Sequence, residues 1–387
     1  MGARLGARED VFSLSRVVDH LSQLIRIPSV SSLSNRPVIA YAVAVLQTAG
    51  WATREIAYID ERGLEKVNLI AAPPGQSAMQ REVDLAFFCH TDTVPYAPDW
   101  NQALDPLRIG DMMHGCGACD VKGFLACLLA AAEAEKEMLQ RQLRLVLTAD
   151  EEIGCVGSKR LLAMDCLVPR RLVIGEPTSL HPARAGKGYC LGRVRIDGKE
   201  AHSAHPEQGV SAIYAAARII SRIEELSRQL EQERHPLFTP GYTTLNVGTV
   251  SGGTAKNIIP GHAEFLVEWR PVPGQSSDRV SSAVRSFLAQ AEQQLPGLRG
   301  SFELLRDQAG FETAADRSLV TILEEFSGRE PSSIAFGSEA SVWSTVSDEI
   351  VVFGPGDMRT AHSSRECVAI PELESAVEIV RRLIRSE

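Results

Sequence analysis

The chain has 387 residues, more than one hydrophobic core usually serves, so two domains are expected. Its 44% hydrophobic and 23% charged content is ordinary for a globular protein, and a net charge of −9 argues against nucleic acid, which is bound through Lys and Arg on phosphate. No apolar run approaches the ~20 residues that span a bilayer, and residues 1–10 lack the apolar stretch of a signal peptide, so a cytoplasmic protein without a membrane partner is expected.

In chain order, Leu14–Ile27 has helical periodicity and stops before Pro28, because the residue preceding a proline avoids helical backbone. Residues 37–49 predict a second helix, with proline in its first turn and Gly50 past its end. Val67–Ala72 and Val83–Cys89 predict strands on either side of a Pro-Pro-Gly turn. Then come a helix over 122–138, a strand over 143–149 and another over 171–174. Strands separated by helices imply an α/β domain with a mostly parallel sheet flanked by helices.

After Gly188 the texture changes to strand 192–197, a long helix 210–230, strands near 243–250 and 263–269, a helix near 280–294 and a strand near 301–305. This βαββαβ order predicts a ferredoxin-like module inserted into the first domain. The αβ texture then returns and ends in a helix over 371–384. The expected division is 1–185 with 309–387, and 186–308. Of the eight cysteines, Cys116 and Cys119 have C-x-x-C spacing, which suits a zinc knuckle or a redox pair. With no second such pair, reduced thiols are expected.

Imidazoles and carboxylates recur where the chain leaves a strand or turns. His90-Thr91-Asp92 ends one strand; in extended backbone its outer residues share a face, so the Asp92 carboxylate is placed to hold the His90 ring. Asp120 precedes a helix, where it serves equally as an N-cap or as a carboxylate bridging two ions. Asp150-Glu151-Glu152 follows another strand, where ligands collect in open α/β sheets, although a solvated acidic helix start has the same pattern. In the metal reading Glu152 is a ligand and Glu151 the base that takes a proton from water and returns it to a leaving amine. Glu176 follows strand 171–174 and His362 lies in a late loop. Singly these are weak; as a set they predict two zinc or cobalt ions, with His90, Asp120 and Glu152 on one and Asp120, Glu176 and His362 on the other.

Beyond these residues, Cys89–Val94, Gly115–Gly123, Asp150–Gly154, Ile174–Thr178, Gly198–Gly209, Gly252–Pro260, Trp269–Gly274 and Gly354–His362 are familiar together. In this order the chain resembles the aminoacylase / acetylornithine deacetylase / succinyl-diaminopimelate desuccinylase family of dinuclear zinc amidohydrolases. The resemblance implies two Zn2+ per chain, with Co2+ able to substitute, bridged by Asp120, with His90 and Glu176 on one ion and Glu152 and His362 on the other. It implies a zinc-peptidase-like fold and Glu151 as general base. It makes the inserted domain a lid through which a homodimer forms, with His202 crossing to the partner's oxyanion. Arg270, Asn257, Gly337 and Ser338 match the substrate anchors. On the residues alone, His202 is equally a surface histidine and Arg270 a surface ion pair.

Glu339 suits either a cationic substrate side chain or solvent. Cys116, Arg365 and Cys367 depart from the family's usual residues, beside the metal ligands rather than among them. The implied substrate is an N-acyl amino acid, with N-acetylornithine deacetylation in arginine biosynthesis leading and a desuccinylase, dipeptidase or carboxypeptidase as alternative. A nucleotide-binding enzyme is disfavoured, since Gly186-Lys187 continues with Gly188 and lacks the upstream glycine of a P-loop. A non-catalytic interaction protein would be expected to have lost a ligand or the base.

Overall fold

The computed structural model of the chain describes residues 16–135 and 141–386, so Leu14, Ser15 and the expected helical residues 136–138 lie outside the described residues. The chain divides into two compact units. The first runs to Arg184 and takes in Thr313–Ser332 and everything from Ser338 onward; the second comprises Ala185–Glu312 and Ser333–Gly337.

The first unit opens with α1 over residues 16–26, α2 Arg36–Thr48, β1 Ala52–Ile59, β2 Glu65–Ala72 and β3 Glu82–His90. It continues with β4 Leu107–Ile109, β5 Met112–His114, α3 Lys122–Ala134, β6 Leu143–Thr148, α4 Val156–Ala163 and β7 Val168–Ile174. The strand β8 Ala183–Gly186 carries the chain into the second unit. There follow β9 Cys190–Asp197, β10 Ala201–His202, α5 Ala212–Leu230, β11 Thr244–Gly252 and β12 Ile258–Ile259. This unit then adds β13 His262–Arg270, α6 Asp278–Gln294, β14 Arg299–Arg306 and β15 Phe311–Glu312. The chain then runs through α7 Ser318–Ser327, β16 Ser332–Ile334, α8 Ala340–Trp343, β17 Glu349–Val352, β18 Cys367–Ala369 and α9 Ile370–Arg385.

The sheet of the first unit has the order β1-β2-β6-β3-β7-β17. Its four central members, β6, β3, β7 and β17, are mutually parallel, whereas β1 and β2 are antiparallel additions at one edge. The sheet is mostly parallel, as expected, with antiparallel strands added at its edge. β6 is buried along its whole length and β3 from Leu85 to His90, because helices cover both faces. α9 explains one cover: Leu373, Ala376, Val377, Val380 and Leu383 recur at helical spacing and are buried. They join Phe87, Phe124, Leu128 and Phe353 in one core.

The second unit has an antiparallel sheet of order β11-β13-β9-β14 with connectivity βαββαβ, the ferredoxin-like arrangement. β13 alternates buried and part-exposed residues, since only one face is packed. α5 begins at Ser211, whose hydroxyl accepts the Tyr214 N–H at 3.2 Å. Its Ala215, Ile219, Ile223, Leu226 and Leu230 join Phe265, Val267 and Trp269 in a separate core. Among the described residues no helix is long and apolar enough to cross a membrane.

Candidate metal centre

Parallel pairing fixes where the strand ends lie. Phe88 is opposite Ile174 and His90 opposite Thr148, so Glu176, two residues past Ile174, leaves its strand level with His90. Asp120 reaches the same end of the sheet from the loop ahead of α3, and His362 arrives from a turn in which its own backbone is left-handed, φ 56°. Nε2 of His90 lies 3.1 Å from Asp120 Oδ1. Nε2 of His362 lies 3.1 Å from Asp120 Oδ2 and 3.3 Å from Glu152 Oε1.

Two sets of ligand atoms result, each within 4.8 Å of one another: His90, Asp120 and Glu176, and Asp120, Glu152 and His362. Asp120 belongs to both. The residue-by-residue expectation that Glu152 would share an ion with His90, and Glu176 with His362, is corrected. β3 and β7 are sheet neighbours ending level, while Glu152 lies four residues past Thr148 and extends beyond His90 toward His362.

Asp92 also differs from expectation. The His90 ring meets the backbone carbonyl of Asp92 through Nδ1 at 3.0 Å, with the nearer carboxylate oxygen 3.7 Å away. The strand ends at His90, so the shared face of extended residues stops short of Asp92. The Asp92 carboxylate instead accepts the N–H groups of Glu151 at 3.0 Å and Glu152 at 3.2 Å, and the Ser31 hydroxyl at 2.7 Å. It fixes the turn that carries Glu151 and the candidate ligand Glu152.

The third acidic residue of that turn leaves the centre. Asp150, left-handed at φ 59°, pairs with buried Lys66 and accepts the Tyr58 hydroxyl at 2.9 Å. Repulsion among three adjacent carboxylates is thus relieved by turning one to a cation on β2. Sequence reasoning missed Lys66; its signal was a lone cation entering the apolar run Val67–Ala72.

Burial and neighbours set the protonation. Burial pushes Glu151 up to about 8, with Glu152 and Asp92 adding and His90 opposing. Burial, then Asp120, raise Glu176 well above the usual carboxylate range. Burial also resists ionisation of Asp120, yet the imidazoles of His362 and His90 hold it below that range. Hydrogen bonds to Asp120 and Glu152 push His362 up to about 10. The Cys155 thiol donates to Glu151 Oε1 at 3.3 Å.

The other expected site residues lie elsewhere. His202 and Asn257 are together in the second unit: β10 and β12 form a ribbon pairing His202 with Ile258, and Ser203 donates to the Asn257 carbonyl at 3.0 Å. Arg270 ends β13, bonded to Glu268 at 2.8 Å and stacked 4.5 Å from the Tyr189 ring centre. Gly337 lies against that tyrosine. Ser338 is buried in the first unit.

Glu339 does not face solvent: it is buried and accepts the Ser158 hydroxyl at 2.6 Å. Among the described residues no cysteine joins either set of candidate ligands.

The donor set fits two zinc ions. Imidazole and carboxylate are zinc ligands, and two ligands of a tetrahedral zinc at about 2.0–2.1 Å stand roughly 3.3 Å apart, close to the nitrogen–oxygen separations found. Four buried or nearly buried carboxylates, Asp120, Glu151, Glu152 and Glu176, concentrate negative charge that dications would neutralise.

Comparison with known proteins agrees. Residues 86–386 match the model of peptidase family M20/M25/M40. The acetylornithine deacetylase of Myxococcus xanthus is 40% identical over 365 residues, covering 94% of this chain and 95% of that protein. That of Aliivibrio salmonicida is 31% identical over 374 residues, covering 95% and 97%. The fold is shared with aminopeptidase PepT from Bacillus cereus, TM-score 0.76 at 21% identity over 96% of this chain and 98% of that one. It is shared also with human carnosine dipeptidase 1, TM-score 0.68 at 14% identity over 97% of each. On this evidence the chain belongs to peptidase family M20/M25/M40 and is a metallohydrolase of that family.

Proposed function

We propose that the chain deacetylates N-acetylornithine, releasing ornithine and acetate, as a cytoplasmic homodimer joined through its second unit. The observation that carries the reading is the double triad sharing Asp120, set in a chain alike over 94–95% of its length to proteins named acetylornithine deacetylase. His90 and Glu176 would hold one Zn2+, Glu152 and His362 the other, and Asp120 both, with Co2+ as substitute. When bound, the ions supply Lewis acidity for an amide carbonyl and bring the pKa of water down toward ~7.

Glu151 does the proton work. Its backbone is held by Asp92 and its side chain by the Cys155 thiol, so it is aimed before substrate arrives. It takes the proton from the attacking water and delivers it to the departing amine. Arg270 offers a planar fork to the substrate carboxylate, with Asn257, Gly337 and Ser338 as polar anchors. His202 of a second copy donates to the oxyanion.

The test is amine release from a panel containing N-acetylornithine, other N-acetyl amino acids, an N-succinyl diamino acid and dipeptides, with Zn2+ or Co2+ added. N-acetylornithine is expected to give the highest kcat/KM. Preference for a dipeptide or the succinyl compound overturns the substrate; full turnover in thoroughly metal-free protein overturns the mechanism.

A further inference from the structure

We propose, on the basis of the two-metal reading above, that Glu366 is a positioning residue that sets Asp120 between the two ions. The antiparallel pairing of β5 with β18 places His114 opposite Cys367, which lays Glu366 over the loop leading to Asp120. Its carbonyl accepts the Gly115 N–H at 3.3 Å. Its carboxylate accepts three more: Gly117 at 3.0 Å on Oε2, and Cys119 and Asp120, both at 3.0 Å, on Oε1. A concavity of backbone N–H groups that elsewhere binds a free anion is here filled by a side chain that is 3% exposed.

The last of these donors is the peptide from which the shared ligand springs. The segment bearing Glu366 also bears His362, and the Glu366 N–H closes the intervening turn on the Ser363 carbonyl at 3.0 Å. One residue therefore ties together two ligand-bearing stretches remote in sequence. The loop has little slack: Gly117 is at φ 79°, and a Cβ there would stand 2.8 Å from Lys122 Cδ.

A neutral amide would not serve equally. Glutamine would turn an N–H toward one of the three N–H donors, and charge-assisted bonds are about twice as strong as neutral ones. A buried carboxylate beside Asp120 is costly unless cations stand close; the buried Lys122 ammonium is one such cation, and the two ions would be others. Groups that hold a metal ligand from behind typically affect metal affinity 10–100-fold (roughly) when replaced.

The experiment is titration of full-length, metal-stripped protein with Zn2+ alone against a chromophoric chelator, for wild type, Glu366→Gln and Val377→Ala. Circular dichroism and melting of the metal-free proteins accompany it. Wild type is expected to take two zinc ions, and Glu366→Gln to hold at least one of them roughly 10–100-fold more weakly. Val377→Ala opens a cavity under α9, and is expected to lower the melting temperature with zinc affinity unchanged. That contrast separates positioning from lost stability. Should Glu366→Gln not fold, Glu366→Asp keeps the charge but withdraws it by one methylene, and the same weakening is expected. Unchanged affinity for both ions overturns the role and leaves the proposed function standing; a wild type that binds no zinc overturns both.

Discussion

The pair Lys66–Asp150 supports the turn carrying Glu151 and Glu152, and replacing Lys66 by Met isolates its contribution. Both side chains are 1% exposed, so the substitution strands a carboxylate in the interior. Breaking a buried pair from one side costs about 3–5 kcal/mol. The Tyr58 hydroxyl remains on Asp150 at 2.9 Å, which sets the expected loss at the lower end, about 3 kcal/mol. For a unit of this size that corresponds to a fall in melting temperature of roughly 6–12 °C. The Lys66 ammonium also holds the Ser31 carbonyl at 2.8 Å, and the Ser31 hydroxyl holds Asp92, so the loss should extend to zinc affinity. The assay is a double-mutant cycle by calorimetric unfolding of the metal-free protein. It combines Lys66→Met with Asp150→Asn, a residue that tolerates left-handed backbone. The double variant is expected to recover about 1–3 kcal/mol relative to the sum of the singles. Additivity within roughly 0.5 kcal/mol would show that the two groups do not interact, and the account of the turn would fail.

Glu151→Gln should keep both zinc ions and lose about 10²–10⁴-fold in kcat, read by metal analysis with turnover; near-normal kcat contradicts the base assignment. Ser158→Ala removes a hydroxyl that serves Glu339 at 2.6 Å and accepts the Trp343 indole N–H at 3.0 Å. With two buried groups left short of a partner, about 2–4 kcal/mol of stability should go, seen in urea unfolding. Glu151, pushed to about 8, and His362, pushed to about 10, hold protons in the metal-free fold near neutrality. Because both are raised, the stability they contribute is fully present below their ordinary values, about 4.3 and 6.5, and is lost as pH rises through the folded ones. Zinc displaces those protons, so the gain in melting temperature on adding zinc should grow between about pH 5.5 and 8. Calorimetry in buffers of different ionisation enthalpy should show proton release; a gain independent of pH counts against the coupling.

The sequence by itself determined the local structure and the chemical inventory. Strands such as Leu143–Thr148 were legible because burial on both faces favours a mostly apolar run, here interrupted by Arg144, and α9 because its apolar residues recur at helical spacing. β1 and the short β4–β5–β18 sheet were not, since their residues are largely part-exposed and leave no such run. The candidate ligands were legible because each stands at a strand end or turn. Their partition was not legible from the residues alone. It depends on β3 and β7 being sheet neighbours with Phe88 level with Ile174, and pairing register is a long-range property.

The same limit hid the supporting groups. Nothing local says that Asp92 will hold the Glu151–Glu152 turn, that Asp150 will find Lys66, or that Glu366 will fill the loop around Asp120. Each is a polar group at ordinary spacing whose partner lies dozens to hundreds of residues away. Only folding brings those partners within hydrogen-bond reach, and burial then makes leaving any of them unpaired costly.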